Sequence, residues 1–504
     1  MSKNSLIVKN TLFLATRTIV SVIISFYTTR VILHQLGAQD YGLFSVIYGI
    51  VGFTVFLSSA MNESVQRFIS MNLGVNNLNR LKDIVKNSLI SYLFLSLLFI
   101  VILISFRDYV ITSFLNIPTE SLIISEKLYI IAVCAIAISI LQTPFNALVI
   151  AHENMSFYAY MSIFDVFSKL IISILISQVN EDKVLVYAIL LFLSSLLVFF
   201  IYISYCLKRF WYSFSGGLLS FAVIKEISSF SFWNVFGNFA FVCRTQGINI
   251  IINLFFATTV NAAYALSNAV LNALTSLTQA FVMSVRPQIF KAYADDNTVR
   301  YTQLVTMGSK FTFSLLFLIS APLLIYTDQI LSLWLVDTPD YTVSFIRFVL
   351  VAALIDSFSS SIIAGIQATG KIKIYQLVVS FFVFISLPIS YVLYSYGFSV
   401  YTAFIPIISF SILNLNMRLY FLSRNTSFNI SRYYLDVIFP CLTSVVISLF
   451  INLLIKKYSS YNTVLEMLIC LTICFFVTLV ILFFITTSMV ERKNIFDYVL
   501  RKLK

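Results

Sequence analysis

VLVYAILLFLSSLLVFFIYISYCL, residues 184–207, runs for 24 positions without a charge. A helix needs about 20 predominantly apolar residues to cross the hydrocarbon core of a bilayer, so this stretch reads as a transmembrane span. Runs of the same kind recur on both sides of it. They fall at 10–33, 41–61, 87–106, 123–142, 157–178, 184–207, 229–255, 260–285, 305–326, 344–366, 375–395, 400–421, 437–455 and 466–487. Composition agrees: 60% of the 504 residues are hydrophobic and 11% charged, where a soluble domain carries about 25% charged residues. The expected fold class is an all-α polytopic membrane protein of about 14 transmembrane helices. Connections this short leave no room for a folded extramembrane domain, which excludes receptors, ABC proteins and enzymes with a soluble catalytic domain.

The net charge of +12 would suggest a nucleic-acid partner in a soluble chain. Here the distribution of Lys and Arg explains it. With the N-terminus inside, 22 of them fall in cytoplasmic segments, Arg418 and Arg424 at the end of span 12 included, and five in outer loops (Arg30, Arg107, Lys183, Lys456, Lys457). That bias places both termini in the cytoplasm, and no nucleic-acid partner is needed. The N-terminal run carries no small-residue cleavage site and reads as an uncleaved first span. Segments 208–228 and 489–504 mix apolar and basic residues as interfacial helices do. Six cysteines lie in apolar stretches without a C-x-x-C pair, and His34 and His152 are isolated. Neither pattern makes a disulfide framework or a metal site, so no metal or cofactor is expected.

An internal repeat divides the spans. Setting Tyr41 on Tyr264 gives an offset of 223, and Tyr158 on Tyr375 gives 217. Each half then holds six spans, and an even number gives the halves one orientation: two six-helix lobes in parallel repeat plus two C-terminal helices. The expected domains are an N-lobe over 1–207, a linker over 208–228, a C-lobe over 229–422, and spans 13 and 14 with a basic tail over 423–504.

Polar side chains on one face of a membrane helix mark a wall of a water-filled space, or else glue between helices. In span 1, Asn10, Arg17, Ser21, Ser25 and Thr28 share an arc of about 80°. Span 2 carries Tyr41, Ser45, Gly49, Gly52, Ser59 and Glu63; span 7, Asn234, Asn238, Thr245 and Asn249. Span 8 has the longest stripe, from Asn261 through Asn268, Asn272 and Gln279 to Arg286. Stripes at matching places in both halves point to a polar cavity. The candidate cavity residues are Arg17, Ser21, Asn238, Arg244, Asn268, Asn272 and Gln279. Arg17, Lys127, Lys169, Arg244, Lys310 and Arg347 lie inside spans. Charges there cost roughly 2.5–3.5 kcal/mol on insertion scales, so Glu63, Asp165, Lys169, Arg347 and Asp356 are candidates for ion coupling or helix pairing. Asp165 and Lys169, four apart, are placed to neutralise each other. GIQATGK, residues 365–371, matches the start of a phosphate-binding P-loop, but Ile372 stands where that motif needs Ser or Thr. No ATPase is implied.

RVILHQLGAQDYGLFSVIYGIVG (30–52) resembles the first hairpin of bacterial polysaccharide-biosynthesis flippases, exporters of O-antigen and related lipid-linked repeat units. The resemblance continues in Arg67 followed by NLGVNNLNRL, in Thr143-Pro144 before ALVIAHENM, and in Arg286-Pro287 before IFKAYADDN. Trp334 with the nearby DTPDY completes it, so that it covers nearly the whole chain. It implies membership of the multidrug/oligosaccharidyl-lipid/polysaccharide exporter superfamily, a cavity lined by spans 1, 2, 7 and 8, and alternating access. The implied substrate is an undecaprenyl-pyrophosphate-linked oligosaccharide moved across the bacterial cytoplasmic membrane, with membrane lipids and other polysaccharide-assembly proteins as partners. No covalent step is implied, so no enzyme, and the expected working form is a monomer. The rival readings are a peptidoglycan-precursor flippase, a multidrug antiporter and, from another class, a membrane glycan polymerase or ligase.

Overall fold

The computed structural model describes residues 3–52, 55–114, 122–179, 182–256, 258–334, 339–459, 463–487 and Arg492. The chain is an all-α, multi-pass membrane protein. Its helices are α1 (Lys3–Gly52), α2 (Val55–Gly74), α3 (Leu78–Ser105), α4 (Leu122–Ala151), α5 (Met155–Leu175) and α6 (Lys183–Arg209). Next come α7 (Phe221–Phe255), α8 (Thr258–Ala294), α9 (Thr298–Ile325), α10 (Thr327–Trp334), α11 (Thr342–Ser357) and α12 (Ser359–Thr369). The last are α13 (Lys373–Ser395), α14 (Phe404–Asn425), α15 (Ile430–Tyr433), α16 (Phe439–Tyr458) and α17 (Val464–Thr486).

Twelve stretches among the described residues are long and apolar enough to cross a membrane. Predicted spans 2 and 8 are not among them. α8 is 37 residues long, so length is no obstacle; its row of Asn, Thr, Ser and Gln lowers its hydropathy. Span 2 is interrupted at residues 53 and 54, which lie outside the described residues.

Two compact units emerge: Lys9–Asn238, here the N unit, and Phe239–Lys504 with Met1–Val8, here the C unit. The division falls inside α7, not in segment 208–228. That segment is held to the N unit by side chains of α3. Leu218 N–H donates to Asp83 Oδ1 at 2.7 Å, Ser220 N–H donates to Asn87 Oδ1 at 3.0 Å, and Lys86 Nζ donates to the Gly217 carbonyl at 2.9 Å. Trp211, Leu218, Leu219 and Phe221 are left exposed. Residues 221–228 are the first turns of α7. Segment 489–504 lies outside the described residues apart from Arg492.

The halves repeat their helix boundaries. α2 ends at Gly74 and α8 at Ala294; α3 starts at Leu78 and α9 at Thr298. Each pair is 220 residues apart, between the offsets of 223 and 217 read from the sequence. The turns repeat too. Asn77 caps α3 by accepting from Arg80 N–H at 3.1 Å, and Asn297 caps α9 by accepting from Arg300 N–H at 2.9 Å. Each follows a left-handed residue, Asn76 or Asp296, a conformation Asn and Asp tolerate better than most. Glu153 and Gly370, 217 apart, take that conformation in the α4–α5 and α12–α13 turns. In the N unit α4 packs on α2, α3 and α6. In the C unit α11 and α12, one span broken at Phe358, pack on α8, α9 and α14.

One expectation fails. The turn placed between spans 1 and 2, at residues 34–40, is helical, because α1 runs unbroken from Lys3 to Gly52. Gly37 and Gly42 cost only about 1 kcal/mol each within a helix. Ile32, Leu36 and Ile47 of α1 join one apolar cluster with Leu128 and Val133 of α4 and Val184 and Tyr187 of α6. Gly365 of the P-loop-like stretch lies within α12, where its carbonyl accepts from Tyr301 Oη at 2.9 Å. That is no phosphate-binding loop.

The C-terminal pair shows polar residues acting as glue. Asn452 Nδ2 donates to Thr478 Oγ1 at 3.0 Å, and Ser448 Oγ meets the same hydroxyl at 2.8 Å, all buried between α16 and α17. Thr463 and Glu466 form a capping box that starts α17.

Candidate functional site

Each unit holds a half-open pocket built from the helices that carry its deep arginine. The N-unit cavity, about 380 Å³, is lined by Arg17 and Ser21 of α1, Ser139, Gln142 and Asn146 of α4, Tyr158, Ser162 and Asp165 of α5, and Ser195 and Tyr202 of α6. Arg17 Nη1 donates to Ser162 Oγ at 3.4 Å, and its Cζ stands 5.2 Å from the centroid of the Tyr158 ring. Asp165 is bound by Lys169, one turn along α5, at 2.7 Å. Among the described residues Arg17 therefore has no carboxylate partner, and its Nε is buried without a hydrogen bond. Ser21 Oγ and Asn146 Oδ1 are buried in the same state.

The C-unit cavity, about 360 Å³, is lined by Phe241, Arg244 and Thr245 of α7, Tyr264, Asn268, Thr275, Thr278 and Gln279 of α8, Asp356 and Ser357 of α11, Ser360 of α12 and Arg418 of α14. Arg244 lies 3.7 Å from Asp356 and 4.9 Å from the centroid of the Phe241 ring. Arg418 is 1% exposed. Its cost of insertion is of the order given for a charge at a helix centre, roughly 2.5–3.5 kcal/mol.

The sequence-derived candidates divide as follows. Arg17 and Ser21 share the N-unit cavity with Asp165; Arg244, Asn268 and Gln279 share the C-unit cavity with Asp356. Asn238 and Asn272 line neither, and Asn272 is exposed. Lys169 serves as partner to Asp165. Arg347 is tied to Asp328 of α10 at 3.1 Å and to the Leu324 carbonyl at 3.2 Å, outside both cavities. Glu63 is half-buried on α2 and lines neither cavity. Tyr41, Ser45, Gly49 and Gly52 of the span 2 stripe have side chains outside the described residues.

Sequence reasoning missed Gln142, Asn146, Tyr158, Tyr202, Ser360 and Arg418. Ser139, Gln142 and Asn146 fall at i, i+3 and i+7, a one-face spacing that was there to be read. Arg418 was counted with the cytoplasmic cations; α14 continues to Asn425, which puts Arg418 about two turns inside the helix. A cysteine at Asn268 should react with a membrane-impermeant thiol reagent, and one at Phe192 on α6 should not, in a background freed of the six native cysteines. Equal protection at both would mean that α8 lines no water-accessible space.

Two units with repeated helix boundaries, each with a pocket holding an arginine, make up a fold that solved structures share. A MATE protein in its bent conformation superposes with a TM-score of 0.74 at 13% identity, covering 84% of this chain and 96% of that one. A MOP-superfamily transporter from Pyrococcus furiosus, whose report concerns a binding pocket of reversed polarity, gives 0.72 at 12% identity, covering 84% and 98%. At such identities the likeness is one of fold. The chain belongs to the polysaccharide biosynthesis protein family, whose model matches residues 7–293. A Yersinia pseudotuberculosis protein described as "Putative O-antigen export protein" is 28% identical over 92 residues. That match spans 18% of this chain and 21% of the relative.

Proposed function

We propose that this protein is a flippase that carries an undecaprenyl-pyrophosphate-linked oligosaccharide from the inner to the outer leaflet of a bacterial cytoplasmic membrane by alternating access. The observation that carries the proposal is Arg17, a deep guanidinium without a carboxylate partner among the described residues, in a cavity that also holds hydroxyls, amides and tyrosines and whose one carboxylate, Asp165, is engaged by Lys169. A diphosphate is recognised by fixed cations, above all by planar guanidinium groups. Sugar hydroxyls are matched by Gln142, Asn146 and Ser139 in the N-unit cavity and by Asn268 and Gln279 in the C-unit cavity. Arg17 in the N-unit cavity and Arg244 in the C-unit cavity are each assigned to diphosphate binding within their own cavity. The protein works without covalent chemistry, so it is no enzyme, and the bias of Lys and Arg keeps both termini in the cytoplasm.

The MATE likeness raises the antiporter alternative. A cationic drug would meet Arg17 in one cavity and two guanidiniums against one carboxylate in the other, which opposes it. Cells depleted of the protein should lose surface glycan and accumulate lipid-linked repeat units on the inner leaflet. Loss of drug resistance with normal glycan would sink the proposal in favour of the antiporter.

A further inference from the structure

Arg418 differs from every other deep cation of its unit. It lines the C-unit cavity, is 1% exposed, and its Nε is buried without a hydrogen-bond partner. Its contact is with the face of the Phe241 ring, 5.9 Å from the centroid, a ring that Arg244 also approaches at 4.9 Å. No carboxylate among the described residues stands within ion-pair distance of it. Asp356, in the same cavity, is engaged at 3.7 Å by Arg244. Two guanidiniums and one carboxylate leave a surplus positive charge in a low-dielectric space, where an unpaired cation is held at high cost and an arriving anion is attracted strongly. At about 360 Å³ the cavity has room for on the order of ten waters, more than a diphosphate needs.

We infer that the C-unit cavity is a binding site for a diphosphate-type anion, with Arg418 as its principal ligand and Asp356 as a resident counter-ion that the anion displaces from Arg244. The choice of a diphosphate over other oxyanions rests on the flippase reading. Asp356 thereby sets the affinity: with the site empty it neutralises Arg244, and with the anion bound both guanidiniums turn to the ligand. A competing internal carboxylate weakens binding and so lets the anion leave at the end of a cycle.

The test is thermal unfolding of the purified protein in detergent, with inorganic pyrophosphate in one arm and a short-chain polyprenyl diphosphate in the other. Pyrophosphate should raise the unfolding midpoint, and Arg418→Met should weaken that binding about tenfold or more, the loss of a charged hydrogen bond. Arg418→Lys should retain part of it. Asp356→Asn should bind several-fold more tightly, a gain that misfolding cannot produce. Arg432→Gln, which breaks an exposed pair with Asp436, should leave affinity unchanged. Binding of both probes through Arg418 makes the diphosphate itself the ligand; binding of the polyprenyl form alone makes it a lipid headgroup site. Unchanged affinity in Arg418→Met, or no gain in Asp356→Asn, would overturn the inference. Arg418-dependent binding in a protein that fails to restore surface glycan would leave the site standing and remove the flippase reading.

Discussion

Arg17→Ala is expected to reduce glycan display on the cell surface at least a hundredfold while leaving the amount of inserted protein unchanged. The size follows from losing a bidentate, charge-assisted contact to a diphosphate, each hydrogen bond contributing about 1.5–3 kcal/mol. Normal insertion follows from the structure, because Arg17 holds no acid in place: Asp165 is bound to Lys169 at 2.7 Å. Arg17→Lys should restore part of the display, keeping the charge without the planar fork. Arg244 should behave differently. Its removal leaves the half-buried Asp356 without its partner, so Arg244→Ala lowers the amount of folded protein as well as display. Adding Asp356→Asn should recover the protein but not the transport. Normal display from the Arg17→Ala, Arg244→Ala double variant would contradict the assignment of both residues.

Gly308→Leu is expected to have the largest effect on folding. Gly308 of α9 lies against Ser361 of α12, and a Cβ at this position would come 2.2 Å from the Ser361 Oγ and 2.8 Å from its Cβ. Small residues let membrane helices approach this closely. A single added methyl forces the pair apart at a cost of about 1–3 kcal/mol, and a leucine exceeds that. Size-exclusion chromatography of a fluorescent fusion should show a several-fold loss of monodisperse protein for Gly308→Ala and almost complete loss for Gly308→Leu. Ser361→Gly should restore the alanine variant. Wild-type yield of Gly308→Leu would mean that α9 and α12 do not meet here.

Much of the fold could be read in advance because bilayer thickness sets span length and turn residues mark the ends. Asn76-Asn77 and Asp296-Asn297 start α3 and α9 well before the apolar runs that begin at 87 and 305. The expected turn at 34–40 misled because a glycine costs a helix only about 1 kcal/mol, too little by itself to end one. Within the site, Arg17 and Arg244 were legible as deep cations, since they interrupt long apolar runs. Their partners were not. The i,i+4 spacing of Asp165 and Lys169 gave that pair in advance, but the choice of Asp356 for Arg244 depends on packing between α7 and α11, far apart in sequence, and needed coordinates. Arg418 was hidden by its place near the end of an apolar run, where a snorkelling cation and a buried one look alike. Asn272 shows the converse: it shares a helical face with Asn268, yet only Asn268 lines the cavity.

The most direct measurement is translocation in proteoliposomes that contain the purified protein and a polyprenyl-diphosphate-linked oligosaccharide labelled in its sugar. A membrane-impermeant periodate treatment would then read how much label reaches the outer leaflet with time. Vesicles with the intact protein should expose the label well above the rate of empty vesicles, and vesicles with folded Arg17→Ala should fall to the empty-vesicle rate. Exposure by the intact protein no faster than by empty vesicles, or equal exposure by intact and Arg17→Ala protein, would contradict a flippase that moves its substrate through these cavities.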